Sequence, residues 1–499
     1  MAAADGQRYL LAIDQGTTSS RAFLFDRAGR VAASAQQAFR QSYPKPGWVE
    51  HDPDELWASC AAVIRSAVRQ AKIRPSQIAA IGLTNQRETT VVWERLSGRP
   101  VHPAIVWQCR RTAEICERLK RQGLEPAFRS ATGLVLDAYF SGPKIAWLLE
   151  HLPGLRARAE QGKLCFGTVD SWLLWQLTKG RVHATDVTNA SRTLLYNIRT
   201  WQWDRRLCAL LKVPESMLPR ALPSSGEFGR TAAGVAGLPA VIPILGVAGD
   251  QQAALFGQRC TTAGTLKNTY GTGCFLLLHT GHRRVASRHG LITTAACDAH
   301  GRPAYALEGS VFMAGAAVQW LRDELGLVAT AAETEGIAAG LNDTQGVYMV
   351  PAFTGLGAPY WRPEARGVIT GLTRGTTRAH LIRATLEAIA YQTRDVVEAM
   401  QKDSRLRVRA LQVDGGASKN NFLMQFQADL LGAAIVRPKM VETTALGAAQ
   451  LAGLAAKFWS PAQLERMRAV DRTFTPQGTA ADRRRRCDGW RQAVAKTLA

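Results

Sequence analysis

Nine cysteines are all that 499 residues offer for disulfides or thiolate metal sites, an odd number with no C-x-x-C pair among them. That scarcity argues against a secreted disulfide scaffold and against a structural zinc site. Long apolar runs are missing too: nothing approaches the ~18 uninterrupted apolar residues of a membrane span. The opening Met-Ala-Ala-Ala-Asp-Gly-Gln-Arg lacks the apolar centre of a signal peptide. A cytoplasmic protein, not integral to a membrane, is expected. Acidic residues are few, 40 against 62 Lys and Arg, giving +22 at pH 7 and a pI near 10.1. Lysine is scarcer still, 13 against 49 arginines.

What is present is an ordinary globular balance, 46% hydrophobic and 20% charged, enough for two or three domains with their own cores and too apolar for disorder. The basic excess raises nucleic acid as a partner, but no recognition motif accompanies it and the arginines are spread along the chain. The one dense run, Arg483 to Arg486, falls on an amphipathic helix over 480–498 with Trp490, Ala493 and Val494 facing inward. No specific nucleic-acid partner is expected.

Tyr9–Asp14 reads as a strand, followed by a Gly/Thr/Ser turn, a strand Arg21–Asp26 and a third strand Val31–Phe39. Short turns make these antiparallel hairpins rather than a dinucleotide-binding βαβ unit. A helix follows from Pro53 to about Ala71. The pattern returns at Thr265–Tyr270, Gly271-Thr-Gly273 and Cys274–His279, so two α/β domains, 1–256 and 257–499, are expected.

Three turns carry chemistry. Asp14-Gln-Gly16-Thr17-Thr18-Ser19-Ser20-Arg21 combines a strand-end carboxylate with backbone amides, hydroxyls and a guanidinium, the donors that phosphates and Mg²⁺ require. A polar hairpin turn satisfying itself reads the same way, and no Walker A sequence occurs. Gly249-Asp250-Gln251 puts a carboxylate after a buried strand, either as a helix cap or where α/β proteins place catalytic groups. Asp414-Gly-Gly416 follows strand Leu411–Val413 and lets backbone lie against a flat ligand, or serves turn geometry alone. Asn85-Gln-Arg-Glu-Thr-Thr90 forms a polar tip between strands Ile78–Leu83 and Val91–Trp93.

In order and spacing, these motifs resemble the ATPase fold shared by sugar kinases, actin and heat-shock chaperones. Within it the chain is similar to the carbohydrate kinases, and among them to the glycerol kinases. The likeness runs from about residue 8 to the end, through Ala12–Arg21, Asn85–Thr90, Asp186–Thr193, Ala248–Gly257, Asn268–Phe275, Pro351–Trp361 and Asp414–Asp429. The resemblance implies two duplicated ribonuclease-H-like α/β domains with an interdomain cleft, the first carrying the glycerol site and first phosphate loop, the second the nucleotide site. It implies ATP-dependent phosphorylation of glycerol, with Asp250 as the catalytic proton acceptor. Glycerol is then bound by Arg87, Glu88, Trp107, Tyr139, Asp250, Gln251 and Phe275. ATP is bound by Thr17, Thr18, Ser19, Arg21, Thr272, Gly315, Gln319, Gly416 and Asn420, and Asp14 partners Mg²⁺. Domain closure would assemble the site, and a homodimer or homotetramer is expected. A kinase for another polyol, pentulose or sugar acid is the alternative. Some family members bind an inhibitory sugar bisphosphate through an Arg, and others are activated at a phosphorylated His. The corresponding stretch, Thr231 to Pro243, has neither residue, so neither control is expected.

Overall fold

The computed structural model describes residues 8–499. The residues behind the expectation about a signal peptide lie largely outside that range. Two sheets organise the chain. The first holds β1 (Tyr9–Gln15), β2 (Ser19–Phe25), β3 (Val31–Ala38), β4 (Ile78–Asn85), β5 (Ser225–Arg230) and β6 (Pro243–Gly249), in the order β5-β6-β4-β1-β2-β3. The second holds β7 (Leu266–Tyr270), β8 (Cys274–Gly281), β9 (Ile292–Cys297), β10 (Pro303–Val311), β11 (Ala410–Asp414), β12 (Ala434–Pro438) and β13 (Val470–Phe474), in the order β9-β10-β8-β7-β11-β12-β13.

The repeat suggested by two Gly/Thr turns is a repeat of topology. In the first sheet β1 pairs antiparallel with β2 and parallel with β4, and β4 pairs parallel with β6. In the second, β7 pairs antiparallel with β8 and parallel with β11, and β11 pairs parallel with β12. Each sheet therefore has a central strand with a hairpin partner on one side and two parallel strands on the other. Both are mixed sheets, as the two expected α/β domains require.

Helix α1 (Pro53–Ala71) starts at an Asp52 cap that accepts from the Asp54 amide at 2.8 Å. It lays Leu56, Cys60, Val63 and Ile64 on the first sheet's core, the stripe its periodicity predicts. Four further helices matter below: α2 (Ser141–His151), α3 (Asp250–Gly257), α4 (Gly315–Asp323) and α5 (Arg378–Ser404). So do α6 (Asn421–Leu431), α7 (Thr443–Ala455) and α8 (Ala480–Leu498).

A single cut after residue 256 does not describe the compact units. Unit 1 is the chain up to Arg259 together with Thr293–Tyr305 and Thr443–Met467, and unit 2 is Cys260–Ile292, Ala306–Glu442 and Arg468–Ala499. Close backbone approach explains why α7 belongs to unit 1. A Cβ on Gly82 of β4 would meet the Ala448 carbonyl oxygen at 2.1 Å, and one on Gly447 would meet that of Ala253 at 1.8 Å. Only a helix of small residues reaches that depth, and such a helix has no amphipathic stripe to announce its partner.

In unit 2, α8 buries Cys487, Trp490, Ala493 and Val494, with the Trp490 ring stacked on Tyr391 at 5.2 Å. All nine cysteines are buried and unbridged. Among the described residues no helix is long and apolar enough to cross a membrane.

Candidate functional site

β1, β4 and β6 run parallel and end level with one another: Asp14 and Ala248 both lie opposite Thr84. The carboxyl end of such strands is where open α/β sheets present ligand-binding groups. Asp14, Arg87 and Asp250 follow from these three ends.

Arg87 and Glu88 are 3% and 1% exposed, which separates them from a solvated Arg-Glu turn. The two strands flanking this tip do not pair with each other. β4 stays in the main sheet, while Val91–Glu94 pairs with Leu164–Gly167. Glu88 takes a left-handed conformation at φ 61°, which turns the chain from one sheet toward the other. A tip shared by two sheets is buried, where a hairpin tip would be wet.

The Arg87 Nε lies 3.3 Å from Asp250 Oδ1 and 3.8 Å from Glu88 Oε1. Its Nη1 donates to Gln252 Oε1 at 3.2 Å. Gly249 is required for this placement, since a Cβ there would come within 2.7 Å of Arg87 Cγ and Cδ. Asp250 opens α3 without capping it. Its carboxylate accepts from the adjacent Gln251 amide at 2.7 Å and from Gln251 Nε2 at 3.3 Å. About a third of the Asp250 side chain remains open to solvent, at 32%.

Aromatic rings stand beside this polar group. Trp107 and Tyr139 pack edge to face at 5.6 Å, and Tyr139 packs against Phe140 at 5.2 Å. Trp107 also reaches the turn after β1, its Nε1 donating to Thr17 Oγ1 at 3.0 Å. Behind that turn, Gln41 Nε2 donates to the Thr17 carbonyl at 2.9 Å and Gln86 Nε2 to that of Gly16 at 3.1 Å. His51 lies between the two amides, and burial pushes its pKa down to about 4. A neutral imidazole can then donate to Gln41 Oε1 and accept from Gln86. Across the hairpin, Arg21 Nη2 donates to Asp14 Oδ2 at 2.6 Å, so in this arrangement the guanidinium expected at phosphates is held by the carboxylate expected at Mg²⁺. Thr18 is exposed, and Ser19 Oγ accepts from Gln36 at 3.0 Å.

Residues that the sequence reading did not single out complete this half. Arg192 donates through Nε to the Glu88 carboxylate, both side chains being buried, and its guanidinium sits 5.4 Å from the Tyr139 ring centroid. Lys144 on α2 is wholly buried and donates to the carbonyls of Tyr139 at 2.5 Å and Phe140 at 3.1 Å. Burial pushes its pKa down to about 8 against the opposing pull of Glu88. The Asp186–Thr193 segment shows Arg192 as its one cation, but nothing in it marks the side chain as buried or names its partner.

Unit 2 gathers the rest. The Gly271–Gly273 turn is tied to the start of α4 by three backbone bonds: Ala314 and Ala316 amides to the Thr272 carbonyl at 2.9 and 3.1 Å, and Gly315 to that of Gly271 at 3.0 Å. Thr272, Gly315 and Gln319 thereby share one corner, and Phe275 follows at the start of β8. β7 and β11 are in register at Thr269 and Asp414, so the Asp414-Gly-Gly416 turn leaves the neighbouring strand end. Gly416 is exposed, and a Cβ there would meet nothing within 4 Å. Asn420 caps α6 by accepting from the Leu423 amide at 2.9 Å, and its Nδ2 donates to Thr334 at 3.2 Å.

Among the described residues no three His, Cys, Asp or Glu side chains converge. One strand-end carboxylate beside a hydroxyl-rich turn suits Mg²⁺, which keeps most of its water and is bridged to protein largely through substrate phosphates. It does not suit an ion needing a full protein cage.

The chain matches the N-terminal domain of the FGGY family of carbohydrate kinases over residues 9–257 and the C-terminal domain over 266–456. It is 58% identical over 494 residues to a glycerol kinase of Klebsiella pneumoniae, covering 99% of this chain and 98% of that one. It is 59% identical over 489 residues to a glycerol kinase of Symbiobacterium thermophilum, covering 98% of each. The crystal structure of Plasmodium falciparum glycerol kinase with ADP superposes with a TM-score of 0.93 at 37% identity over 99% of both chains. A gluconate kinase from Lactobacillus acidophilus shares the fold, at TM-score 0.88 and 20% identity. With both domains matched and relatives this similar over nearly their full length, the chain belongs to the FGGY family of carbohydrate kinases.

Proposed function

We propose that this enzyme transfers the γ-phosphoryl group of ATP to glycerol, giving sn-glycerol 3-phosphate and ADP. The observation that carries the reading is the buried Arg87–Glu88 pair with Arg87 Nε 3.3 Å from the part-exposed Asp250. A vicinal diol offers both O–H donors and lone pairs, so one cation and one anion fixed side by side satisfy it together. Trp107 and Tyr139 supply the apolar wall for its carbon face, and Gln251 holds a hydroxyl near Asp250. Full-length similarity to glycerol kinases supports the same substrate.

In the step itself a terminal glycerol oxygen bonds to the γ-phosphorus as the bond to the β,γ-bridging oxygen breaks in line. Asp250 accepts the hydroxyl proton, and ADP leaves with the bridging oxygen. A loose transition state asks for orientation more than basicity, which a carboxylate fixed beside Arg87 provides. Thr17, Thr18, Ser19 and Arg21 serve the phosphates in unit 1, and Thr272 serves them in unit 2. Gly315, Gln319, Gly416 and Asn420 serve the rest of the nucleotide. Asp14 would hold Mg²⁺, which neutralises phosphate charge when bound. The enzyme is read as cytoplasmic and homo-oligomeric, the latter checked by light scattering.

A coupled ADP-release assay over glycerol, dihydroxyacetone, ribitol, xylulose and gluconate tests the substrate. Glycerol is expected to lead in kcat/KM by about 100-fold or more, the scale set by leaving a buried polar pair unmatched. A pentulose or sugar acid that equals it would overturn the reading.

A further inference from the structure

The chemistry above draws on Arg21 and Arg87 and leaves most of the basic excess without a role. In unit 2 the segment from Arg283 to His289 folds against the C-terminal end of α5, and a cavity of about 390 Å³ lies between them. Five cations line it: Arg283, Arg284 and Arg288 from the segment, and Lys402 and Arg405 from the helix end. The only carboxylate in its lining is Asp403, and that group is already engaged. It accepts from Ser287 Oγ at 2.6 Å, the Arg288 amide at 3.0 Å, the His289 amide at 3.3 Å and His289 Nδ1 at 2.7 Å.

These bonds make the cavity a built feature. Asp403, 2% exposed in its side chain, anchors the segment that carries the arginines, and Arg283 Nη2 donates to the Ser404 carbonyl. Stabilising the end of α5 accounts for some of the charge, since cations favour a helix C-terminus. Lys402 and Arg405 lie there, and Arg283 meets a terminal carbonyl. It does not account for the remainder. Among the described residues the Arg288 and Arg405 side chains have no carboxylate partner, and Lys402 has only Glu398, at 3.5 Å. Fixing like charges around a small cavity costs self-repulsion, which a bound anion relieves.

We propose that this cavity is a binding site for a compact polyanion carrying two or more phosphate groups, separate from the kinase site. Guanidinium groups match phosphate oxygens in pairs. The cavity has the volume of a small-molecule pocket, so a free oligophosphate fits it better than a nucleic-acid backbone, which is tracked along a groove.

Titration calorimetry of the full chain with inorganic triphosphate at low ionic strength tests this on three proteins. They are the unaltered chain, Arg288→Glu/Arg405→Glu, and Arg484→Glu/Arg485→Glu, which makes the same charge change on α8. The first pair is expected to weaken binding at least about tenfold, the second less than about twofold, with turnover of glycerol unchanged in both. Equal weakening by the two pairs would reduce the effect to diffuse charge, and no weakening by the first would place triphosphate elsewhere. Either overturns the proposal, as does an oligonucleotide that binds the unaltered chain more tightly than triphosphate and loses affinity in the first variant. If circular dichroism shows the reversed pair misfolded, Arg288→Gln/Arg405→Gln carries the same expectation with a smaller drop.

Discussion

Arg192 donates its Nε proton to the carboxylate of Glu88, and neither side chain reaches solvent. Glu88 thus stands between two guanidiniums, with Arg87 at 3.8 Å on the other side. Removing one partner of a buried ion pair leaves an uncompensated charge, at about 3 kcal/mol. Arg192→Met is expected to lower unfolding stability by about that amount and to raise the KM for glycerol more than it lowers kcat. Arg192→Lys, which keeps the charge but not the fork, should lose less of both. Denaturant unfolding and steady-state kinetics check the pair together, and an unchanged KM would remove Glu88 from glycerol binding.

Asp250→Asn keeps the side chain's shape and loses its ability to take a proton. Turnover is expected to fall about 10²–10⁴-fold, the usual contribution of a positioned base, with nucleotide affinity little changed. Stability should shift by less than about 1 kcal/mol, since the Asp250 side chain is about a third exposed and its pairing with Arg87 is partly screened. Single-turnover rates beside ATP binding measure both, and near-normal turnover would sink the assignment.

Trp107 joins the aromatic pair to the turn proposed to bind phosphates, through its 3.0 Å bond to Thr17. Trp107→Phe preserves much of the ring contact and deletes that donor, at about 1 kcal/mol. The expected result is a rise of about fivefold in the KM for ATP with a smaller change for glycerol. A change confined to glycerol would mean the bond does not order the turn.

Burial holds His51 at about 4, and burial is also the main reason His183 lies at about 4. Below the ordinary value near 6.5 the unfolded chain takes up a proton that the folded chain refuses. Their stabilising contribution is therefore full above pH 6.5 and is lost as pH falls toward 4. Asp170 has the opposite sign. Burial, reinforced by the nearby Asp186, raises it to about 7, so the folded state holds its proton longer and gains stability as pH falls from 7 toward 3.8. His51→Gln should flatten the acid-side loss by up to about 3 kcal/mol between pH 6.5 and 4. Urea midpoints across that range decide it, and parallel curves for the two proteins would contradict the His51 contribution.

Local pattern made much of the fold legible. The hairpins of β1, β2 and β3 follow from apolar runs between Gly-bearing turns, and α1 has both its boundaries because an Asp-Pro start and a 3.6-residue stripe coincide. The strand-to-helix junction at Asp250 and the inward face of α8 were equally plain. The site was legible where its residues adjoin in sequence, as Arg87 and Glu88 do. Arg192 was not, because its partner lies 104 residues away and nothing local marks an arginine as buried. The return of α7 to unit 1 was hidden for a similar reason. Small residues that permit close approach carry no periodic signal.

By itself, the sequence determined the family, the duplicated sheet-forming segments and the chemistry-bearing turns, because each depends on residues close together along the chain. Only the tertiary structure decided which distant groups share a charge environment. It sandwiched Glu88 between Arg87 and Arg192 and placed the neutral His51 behind the Gly16–Ser19 turn. It also gave part of the basic excess a location. Arginines that look diffuse along the sequence come from two segments over 100 residues apart and meet around one cavity, where Asp403 holds them in place. Net charge is a sum over the chain and carries no address. Electrostatic consequence depends on distance, and distance exists only once the chain has folded.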